Sequence, residues 1–234
     1  MNNIEGLVSF GLTRQEATVY ETLLIYGAMN GYELAKRTGI SRSNAYTTLD
    51  RLVEKGAGYL IEGDSLQYTP IDLEEFSSNK IRKLETVKKL LIESIPKKRD
   101  DIEGYITIKG RAQIIDKMNA MLQNSEKRVY ISASSYVLEQ IYSEIISAIE
   151  RGINVVIITQ KNIELPGATT YLIDKPQNSI RLIADSQYVL TGDIEEEDST
   201  CLYSNKKNLV ELMKDSLRSE IDIIEMKRSV RTYE

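Results

Sequence analysis

Residues 13–69 hold three short segments of helical periodicity, separated by glycine turns and followed by two strand-like segments, and this order constrains the fold more than any other feature. Thr13 followed by Glu16 has the spacing of a capping box, which predicts that the first helix begins after Thr13. Its predicted end is Gly27. The apolar residues that recur on one face of this helix are Ala17, Tyr20, Leu23 and Leu24.

The second and third predicted helices meet at a glycine turn. The second follows Asn30 and ends at Gly39, and the third has Ser41 as its N-cap and runs to Lys55. Two helices joined by a short turn of this kind have the spacing of a helix-turn-helix. The residues predicted to face inward are Tyr32, Leu34 and Ala35 in the second helix and Ala45, Leu49, Leu52 and Val53 in the third.

Two strand-like segments, residues 59–62 and 66–69, surround a turn of Gly63, Asp64 and Ser65. This spacing predicts a small hairpin. Three helices followed by a hairpin make a winged helix-turn-helix, which places its third helix in the major groove of double-stranded DNA. We therefore predict an α+β DNA-binding domain over residues 1–71.

The exposed face of the third predicted helix carries side chains that suit DNA. Arg42 can contact guanine and Asn44 adenine through paired hydrogen bonds, whereas hydroxyl groups suit phosphates and base edges. Any solvated helix also has a polar face, so the prediction depends on the helix pair and hairpin around it. The predicted DNA-binding residues are Lys36, Ser41, Arg42, Ser43, Asn44, Tyr46, Thr47, Arg51, Ser65 and Gln67.

The charge balance limits how such a domain can hold DNA. Residues 1–70 contain six Lys and Arg against eight Asp and Glu, a net charge of −2, in a chain whose net charge is −5. Because neutralising phosphates supplies much of the affinity for DNA, the positive charge must be concentrated locally. We therefore expect modest, salt-sensitive binding, which dimerisation would strengthen. The cations placed to supply this charge are Lys36, Arg37, Arg42 and Arg51.

Spaced identities over residues 10–56 resemble the TrmB family of transcriptional regulators. They lie in the run Phe10-Gly11-Leu12-Thr13 with Glu16, Ala17, Val19 and Tyr20, and in the run Ser41-Arg42-Ser43-Asn44-Ala45-Tyr46 with Leu49, Leu52, Lys55 and Gly56. The family's usual proline before the arginine is Ser41 here, which keeps the N-cap. The resemblance covers roughly the first 75 residues. It implies a homodimeric regulator with Arg42, Ser43 and Tyr46 at DNA-contacting positions.

Residues 72–101 change to a composition rich in Lys and Glu and predict a linker helix. Its apolar residues recur at three and four positions without an unbroken heptad. Either this stripe packs on its own domain or it forms a dimer seam, and the family resemblance favours the seam. The cationic residues 97–99 after Pro96 predict a solvated linker, with phosphate contact as the alternative. The apolar residues are Leu73, Phe76, Ile81, Leu84, Val87, Leu91 and Ile95.

Residues 102–234 alternate strand and helix, which predicts an α/β domain whose sheet is largely parallel. The continuous apolar run over residues 153–159 is typical of a strand covered on both faces. The predicted strands are residues 105–108, 128–133, 153–159, 170–173, 180–184, 188–191 and 200–203, and the predicted helices are residues 110–122, 137–151 and 205–226.

Residues 180–192 resemble part of the phospholipase D-like fold, which TrmB regulators carry as a degenerate effector domain. When Asp185 and Gly192 are aligned with that motif, Asn178 and Ile180 stand where active members have His and Lys. The chain contains no histidine at all, so covalent phosphodiesterase chemistry by this route is excluded. The resemblance implies a domain without catalysis, cofactor or metal, which either senses a small molecule, such as a sugar or another metabolite, or mediates assembly.

A ligand in such a domain should lie at the carboxyl ends of the parallel strands. Backbone N–H groups next to Ser134 and Ser135 could bind a hydroxyl or an anion there. The alternative, which is favoured, is that one of these serines is the N-cap of the following helix. Asp185 is likewise favoured as a turn residue. The acidic residues 193–198 could bind a divalent cation, although a solvated loop is favoured. The predicted ligand-binding residues are Ser132, Ser134, Ser135, Gln160 and Asp185.

The single cysteine, Cys201, cannot form an internal disulfide, which predicts a reducing cytoplasm, and Cys201 itself is predicted to be a buried strand residue. No apolar run approaches the roughly 18 residues that a membrane helix needs, and the N-terminus lacks a signal-peptide pattern. A dimeric regulator is the function that these observations favour. An enzyme that uses the α/β domain and a purely architectural module are the alternatives.

Overall fold

A computed structural model of the chain describes residues 2–63, 65–96, 104–161, 163–173, 179–194 and 198–231, with side chains up to residue 227. The chain divides into two compact units, Met1–Arg99 and Asp100–Glu234. Across the described residues, none of the helices combines the length and the apolar character that crossing a membrane requires. The domain boundaries after residues 71 and 101, which are inferred from the sequence, stay predictions.

The first unit is a winged helix followed by a long helix, as predicted. The hairpin strands pair antiparallel from Gly58 opposite Pro70 to Ile61 opposite Gln67, one residue away from the predicted bounds. The helix at its N-terminus was not predicted. The elements are α1 (Asn3–Ser9), α2 (Arg14–Tyr26), α3 (Gly31–Thr38), α4 (Arg42–Glu54), β1 (Gly58–Ile61), β2 (Gln67–Pro70) and α5 (Leu73–Ser94).

Local capping explains where these helices begin. Thr13 and Glu16 form the predicted capping box at α2, and Asn30 and Glu33 form a second one at α3. At α4, the Ser41 Oγ accepts a hydrogen bond from a backbone N–H in the first turn. Each cap satisfies amide groups that a helix leaves without partners at its N-terminus.

The core of the first unit joins the three helices to the start of α5. The rings of Tyr20 and Phe76 lie 5.2 Å apart between centroids, and the Tyr20 hydroxyl donates to the Ile71 carbonyl at 2.7 Å. The predicted inner residues Leu34 and Ala45 are fully buried. The prediction for Tyr32 was wrong, because its ring is 48% exposed on the surface of α3.

A half-buried ion pair also stabilises the first unit. The Lys55 Nζ lies 2.6 Å from the Glu16 carboxylate and 3.0 Å from the Gly11 carbonyl. Burial raises the pKa of Glu16, but Lys55 and the Thr13 amide outweigh this effect and leave that pKa below its ordinary value. The pair therefore joins the beginning of α2 to the end of α4.

The second unit is an α/β domain with a mixed sheet. Over its described residues, seven strands form one sheet in the order β3-β9-β8-β7-β4-β5-β6. The elements are β3 (Tyr105–Lys109), α6 (Arg111–Gln123), β4 (Arg128–Ser132), α7 (Ser135–Gln140), α8 (Tyr142–Glu150), β5 (Asn154–Thr159), β6 (Thr169–Leu172), β7 (Ser179–Ala184), β8 (Tyr188–Asp193), β9 (Thr200–Ser204) and α9 (Lys207–Arg231).

The prediction of a largely parallel sheet was wrong. Among the described strands, only β4 with β5 and β5 with β6 pair parallel, and the other neighbours are antiparallel. A short turn can join only antiparallel strands, and β7 reaches β8 through Asp185 and Ser186, which both have left-handed φ angles of 52° and 55°. Strand β3 pairs with β9 at an edge and not with β4, although α6 connects β3 to β4.

Helices cover both faces of this sheet. One apolar core packs Met118 of α6 and Ile145 of α8 on one face, and a smaller core packs Val210 and Leu217 of α9 on the other. The single helix predicted over residues 137–151 is two helices, α7 and α8, separated at the fully buried Ile141. Cys201 is buried in β9 as predicted, and burial raises the pKa of its thiol to about 11.

We predict that Glu16→Ala destabilises the first unit by about 2 kcal/mol, because it removes a cap and leaves Lys55 without its carboxylate. The exposed third of the Lys55 side chain screens the pair and keeps the loss below that of a fully buried pair. Faster amide hydrogen exchange in α2 measures the effect. The control is Glu54→Ala, an exposed carboxylate of α4.

The same pair predicts the acid sensitivity of this unit. A folded-state pKa below the ordinary value of 4.5 means that Glu16 stabilises the fold at neutral pH and that this stabilisation is lost as the pH falls through the folded pKa. Exchange in α2 should therefore rise less steeply below pH 4.5 in Glu16→Gln than in the wild type. Identical pH profiles for the two proteins would contradict this account.

Candidate nucleic-acid interface

The exposed face of α4 is the surface predicted to read DNA. Its first two turns present the predicted polar residues to solvent, while Ala45, Thr48 and Leu49 on the opposite side are buried. The Thr47 hydroxyl donates to the Ser43 carbonyl at 2.9 Å, and the Ser41 hydroxyl caps the helix. The exposed predicted residues of this surface are Ser41, Arg42, Ser43, Asn44, Tyr46, Thr47 and Arg51, together with Lys36 of α3.

Two arginines on this side of the first unit lie against tyrosine rings. The Arg42 guanidinium lies 4.4 Å from the ring centroid of Tyr32, and that of Arg37 lies 3.9 Å from the ring centroid of Tyr26. A cation over an aromatic face is held by the ring quadrupole without losing its charge. Tyr32 therefore positions the arginine at the N-terminus of α4, where a recognition helix meets a base edge.

Neither of these two contacts is predicted from the sequence. The sequence predicts Arg37 as a local cation but not as a DNA contact, and it predicts that Tyr32 faces inward. Eleven residues separate Tyr26 from Arg37, and ten separate Tyr32 from Arg42, so no helical spacing reveals either pair. Only the crossing of the helices brings each cation to its ring.

Tyr46 lies directly over Gly31, the first residue of α3. A Cβ atom on Gly31 would stand 2.7 Å from three carbons of the Tyr46 ring, closer than any real contact. The ring therefore occupies the space that a side chain at position 31 would need. It remains 40% exposed on the polar face of α4.

A hydrogen bond joins the wing to α4. The Tyr68 hydroxyl of β2 donates to the Asp50 carboxylate at 2.6 Å, and burial together with this bond raises the pKa of Tyr68 to about 12. Asp50 is exposed on α4, beside the polar surface. The bond fixes where the hairpin lies relative to the helix.

The wing itself carries no positive charge. Between Gly56 and Pro70 the sequence has no Lys or Arg, and it has two acidic residues, Glu62 and Asp64. Asp64 lies outside the described residues. Of the two predicted wing contacts, Ser65 is exposed near the tip and Gln67 is half-buried at the start of β2. Contact between this wing and phosphates would have to use neutral side chains or backbone amides.

The structure separates the residues predicted to bind a ligand in the second unit. Ser132 and Gln160 lie at the carboxyl ends of the parallel strands β4 and β5, as predicted. Ser134 caps α7 by accepting a hydrogen bond from the Val137 amide, and Ser135 is the first residue of that helix. Asp185 lies at the opposite end of the sheet, because β7 runs antiparallel to β4.

The Asp185 carboxylate binds the backbone of the segment that leads into β4. Its two oxygens accept hydrogen bonds from the backbone amides of Glu126, Lys127 and Arg128 at 2.8–3.0 Å. Burial raises the pKa of Asp185, but these three N–H groups outweigh it and lower the pKa. This arrangement is the turn role that the sequence favoured for Asp185.

An arginine side chain contacts the carboxyl end of β4. The Arg181 guanidinium donates to the Ser132 hydroxyl at 2.9 Å and forms an ion pair with Glu220 of α9. Ile180, aligned with the catalytic lysine of phospholipase D-like enzymes, is buried in the core, and Asn178 lies outside the described residues. Across the part of the chain that the structure describes, no cluster of His, Cys, Asp or Glu could hold a metal ion.

Family models match the two units separately. Residues 7–74 match the family described as "Sugar-specific transcriptional regulator TrmB". Residues 104–217 match the model described as "Transcriptional regulator TrmB, EBD N-terminal subdomain". The resemblance drawn from residues 10–56 is confirmed by the first of these matches.

Two curated proteins are similar to the chain. The uncharacterized protein YrhO of Bacillus subtilis is 28% identical over 198 residues, which cover 83% of this chain and 72% of YrhO. The HTH-type sugar sensing transcriptional regulator TrmBL1 of Pyrococcus furiosus is 26% identical over 141 residues, which cover 58% of this chain. That match spans 41% of TrmBL1, less than half of its length.

Solved structures give two further similarities. TrmBL2, described as an archaeal chromatin protein with a novel mode of DNA binding, has a TM-score of 0.47 at 20% identity, over 94% of this chain and 97% of TrmBL2. Nuc of Salmonella typhimurium, a phospholipase D family member, has a TM-score of 0.42 at 12% identity, over 51% of this chain and 94% of Nuc. Since models of one family match both units, the chain belongs to the TrmB family of DNA-binding transcriptional regulators.

Proposed function

We propose that the protein regulates transcription as a homodimer that places α4 in the major groove of double-stranded DNA. The observation that carries this proposal is the polar surface of α4, where Arg42 and Asn44 lie exposed in the first turn of a capped helix. These two side chains suit guanine and adenine edges. The buried opposite side of α4 and the bond between Tyr68 and Asp50 keep that surface rigid.

The distribution of charge determines how tightly one domain can bind. Residues 1–70 have a net charge of −2, and the wing contains acidic residues but no Lys or Arg, which leaves the cations of α3 and α4 as the phosphate contacts. Lys36, Arg37 and Arg51 are exposed on those helices. Binding that uses so few phosphates is moderate in affinity, and a second copy of the domain on a neighbouring half-site raises it.

We predict that Arg42→Ala and Asn44→Ala each weaken binding to the protein's own promoter DNA by about 1–3 kcal/mol. Titrations at roughly 50 and 200 mM salt measure both the loss and its salt dependence. The matched control is Lys109→Ala, an exposed lysine of the second unit. Equal affinity for the two α4 variants and the control would show that α4 does not read the DNA.

We predict that Gly31→Ala weakens DNA binding while the first unit stays folded. The added methyl group must push the Tyr46 ring away from its place on α4, and the loss of one contact of about 1 kcal/mol corresponds to about fivefold weaker binding. Circular dichroism checks the helices. The control is Gly6→Ala in α1, where a Cβ meets nothing within 4 Å. An unchanged affinity for Gly31→Ala would remove Tyr46 from the interface.

The outer face of α5 supports a dimer. Ile81, Leu84, Leu91 and Ile95 follow one another at intervals of three, seven and four residues, with Lys88 at the remaining position of the 3-4 pattern. All four apolar residues are exposed in the single chain; Leu84 is 63% and Leu91 50% exposed. An exposed apolar stripe of this kind, interrupted only at Lys88, favours a partner, and a second copy of the same helix offers the same spacing.

We predict that Leu84→Glu combined with Leu91→Glu makes the protein monomeric, because two carboxylates in the seam must be desolvated for the helices to associate. Sedimentation velocity measures the mass, and the same variant should bind DNA more weakly because the two domains are no longer coupled. Thr86→Glu, on the opposite side of α5, is the control. A dimer that survives both seam substitutions would place the interface elsewhere.

The second unit is proposed to act as a non-catalytic sensor. The absence of histidine from the sequence and the buried Ile180 oppose phosphodiesterase chemistry. The family description "sugar-specific" and the name of TrmBL1 as sugar sensing support a small-molecule effector. Such an effector regulates transcription if it binds one arrangement of the two DNA-binding domains better than another. DNA affinity measured with and without a bound ligand tests this role.

A further inference from the structure

A cleft of about 390 Å³ opens at the Asp185 end of the sheet in the second unit. It lies between α6 and the start of β8, on the face of the sheet that α6 covers. Its volume falls within the range of roughly 300–1,000 Å³ that is usual for small-molecule sites. The side chains that give it chemical character are Lys117, Asn124, Lys127, Gln187, Tyr188 and Tyr203.

Lys117 is the unusual group in this cleft. Its side chain is half-buried, and its Nζ lies 3.6 Å from the ring centroid of Tyr203. Among the described residues, no carboxylate lies within ion-pair distance of Lys117. A lysine removed from water is normally paired with an anion, and burial here lowers the pKa of Lys117 without a charged neighbour that moves it. The cleft therefore holds a cation that lacks an anion.

Two stacked tyrosine rings lie beside this cation. The rings of Tyr188 and Tyr203 are parallel to within 4°, with 6.0 Å between centroids. Tyr188 is 39% exposed, so one ring faces the opening. Parallel tyrosines of this kind stack against the face of a sugar or a nucleobase, and the exposed amide of Gln187 and ammonium of Lys127 at the rim can bind polar substituents.

The acidic groups at the cleft do not neutralise Lys117. The Asp185 carboxylate accepts hydrogen bonds from three backbone N–H groups, and Glu126 is exposed at the rim. A lysine ammonium is a common partner of phosphate groups, to which it donates as a point charge. The missing anion and the tyrosine surface point to one molecule that carries both a phosphate and a ring.

We propose that this cleft binds a small ring-bearing phosphate ester, with its phosphate on Lys117 and its ring on Tyr188. A sugar phosphate and a nucleoside monophosphate share this chemistry. The cleft lies at the end of the sheet opposite Ser132 and Gln160, so it is separate from the position of a phospholipase D-like active site. The proposal rests on the sensor role proposed for the second unit and names the class of its ligand.

Calorimetric titration of the full-length protein tests the proposal. The probes are glucose 6-phosphate, adenosine monophosphate, glucose and inorganic phosphate, measured without DNA. We expect at least one of the two esters to bind saturably and more tightly than glucose or inorganic phosphate. The ester that binds more tightly shows whether the ligand carries a sugar or a nucleoside. Binding of neither ester, or equal binding of glucose and glucose 6-phosphate, would overturn the proposal.

Two variants locate the site. Lys117→Gln should weaken ester binding by about tenfold or more, whereas Lys109→Gln, which removes an exposed lysine of β3, should not. Tyr188→Leu should weaken binding of the ester but leave inorganic phosphate unchanged. Ester binding that both variants retain would place the ligand elsewhere and reject the cleft.

A DNA titration of the same variants separates this proposal from the proposed regulator function. Lys117→Gln and Tyr188→Leu should bind promoter DNA like the wild type in the absence of ligand, and unchanged circular dichroism spectra should show that the second unit folds. Loss of ester binding with intact DNA binding supports the cleft. If the wild type binds DNA but no ester, the ligand proposal fails while the regulator function stands.

Discussion

The ion pair between Glu16 and Lys55 is the constraint on which the DNA-binding unit depends. It connects the first turn of α2 to Lys55, the C-cap residue of α4, so α4 cannot rotate without breaking a partly desolvated charge pair. Tyr68 and Asp50 make a second connection, from the wing to the middle of α4. Together these bonds hold a polar surface at a fixed angle, which is what reading a base edge requires.

The exposed surface of α4 is built by groups from two helices, α3 and α4. Tyr32 supports Arg42, and the lack of a side chain at Gly31 leaves room for the Tyr46 ring. The polar residues of α4 are therefore not an independent solvated face but one side of a packed arrangement. The wing without cations and the negative net charge leave little nonspecific attraction to DNA, so the proposed function relies on base contacts and on dimerisation for affinity.

The second unit has two chemically different ends. At the carboxyl ends of β4 and β5, the Ser132 hydroxyl accepts a hydrogen bond from Arg181. Arg181 also forms an ion pair with Glu220 of α9. At the other end, the Asp185 turn borders a cleft that holds Lys117, without an ion-pair partner among the described residues, and the exposed ring of Tyr188.

The sequence by itself determined the local structure of this protein. The caps at Thr13, Asn30 and Ser41, the helical periodicity and the βαβαβ order predicted the winged helix and most of the α/β elements, because these signals act within a few residues. Tertiary structure decided the rest. Strand pairing made the sheet mixed and moved Asp185 away from Ser132, and helix crossing brought cations onto tyrosines. Contacts between residues far apart in the chain carry no periodic signal, so only packing could establish them.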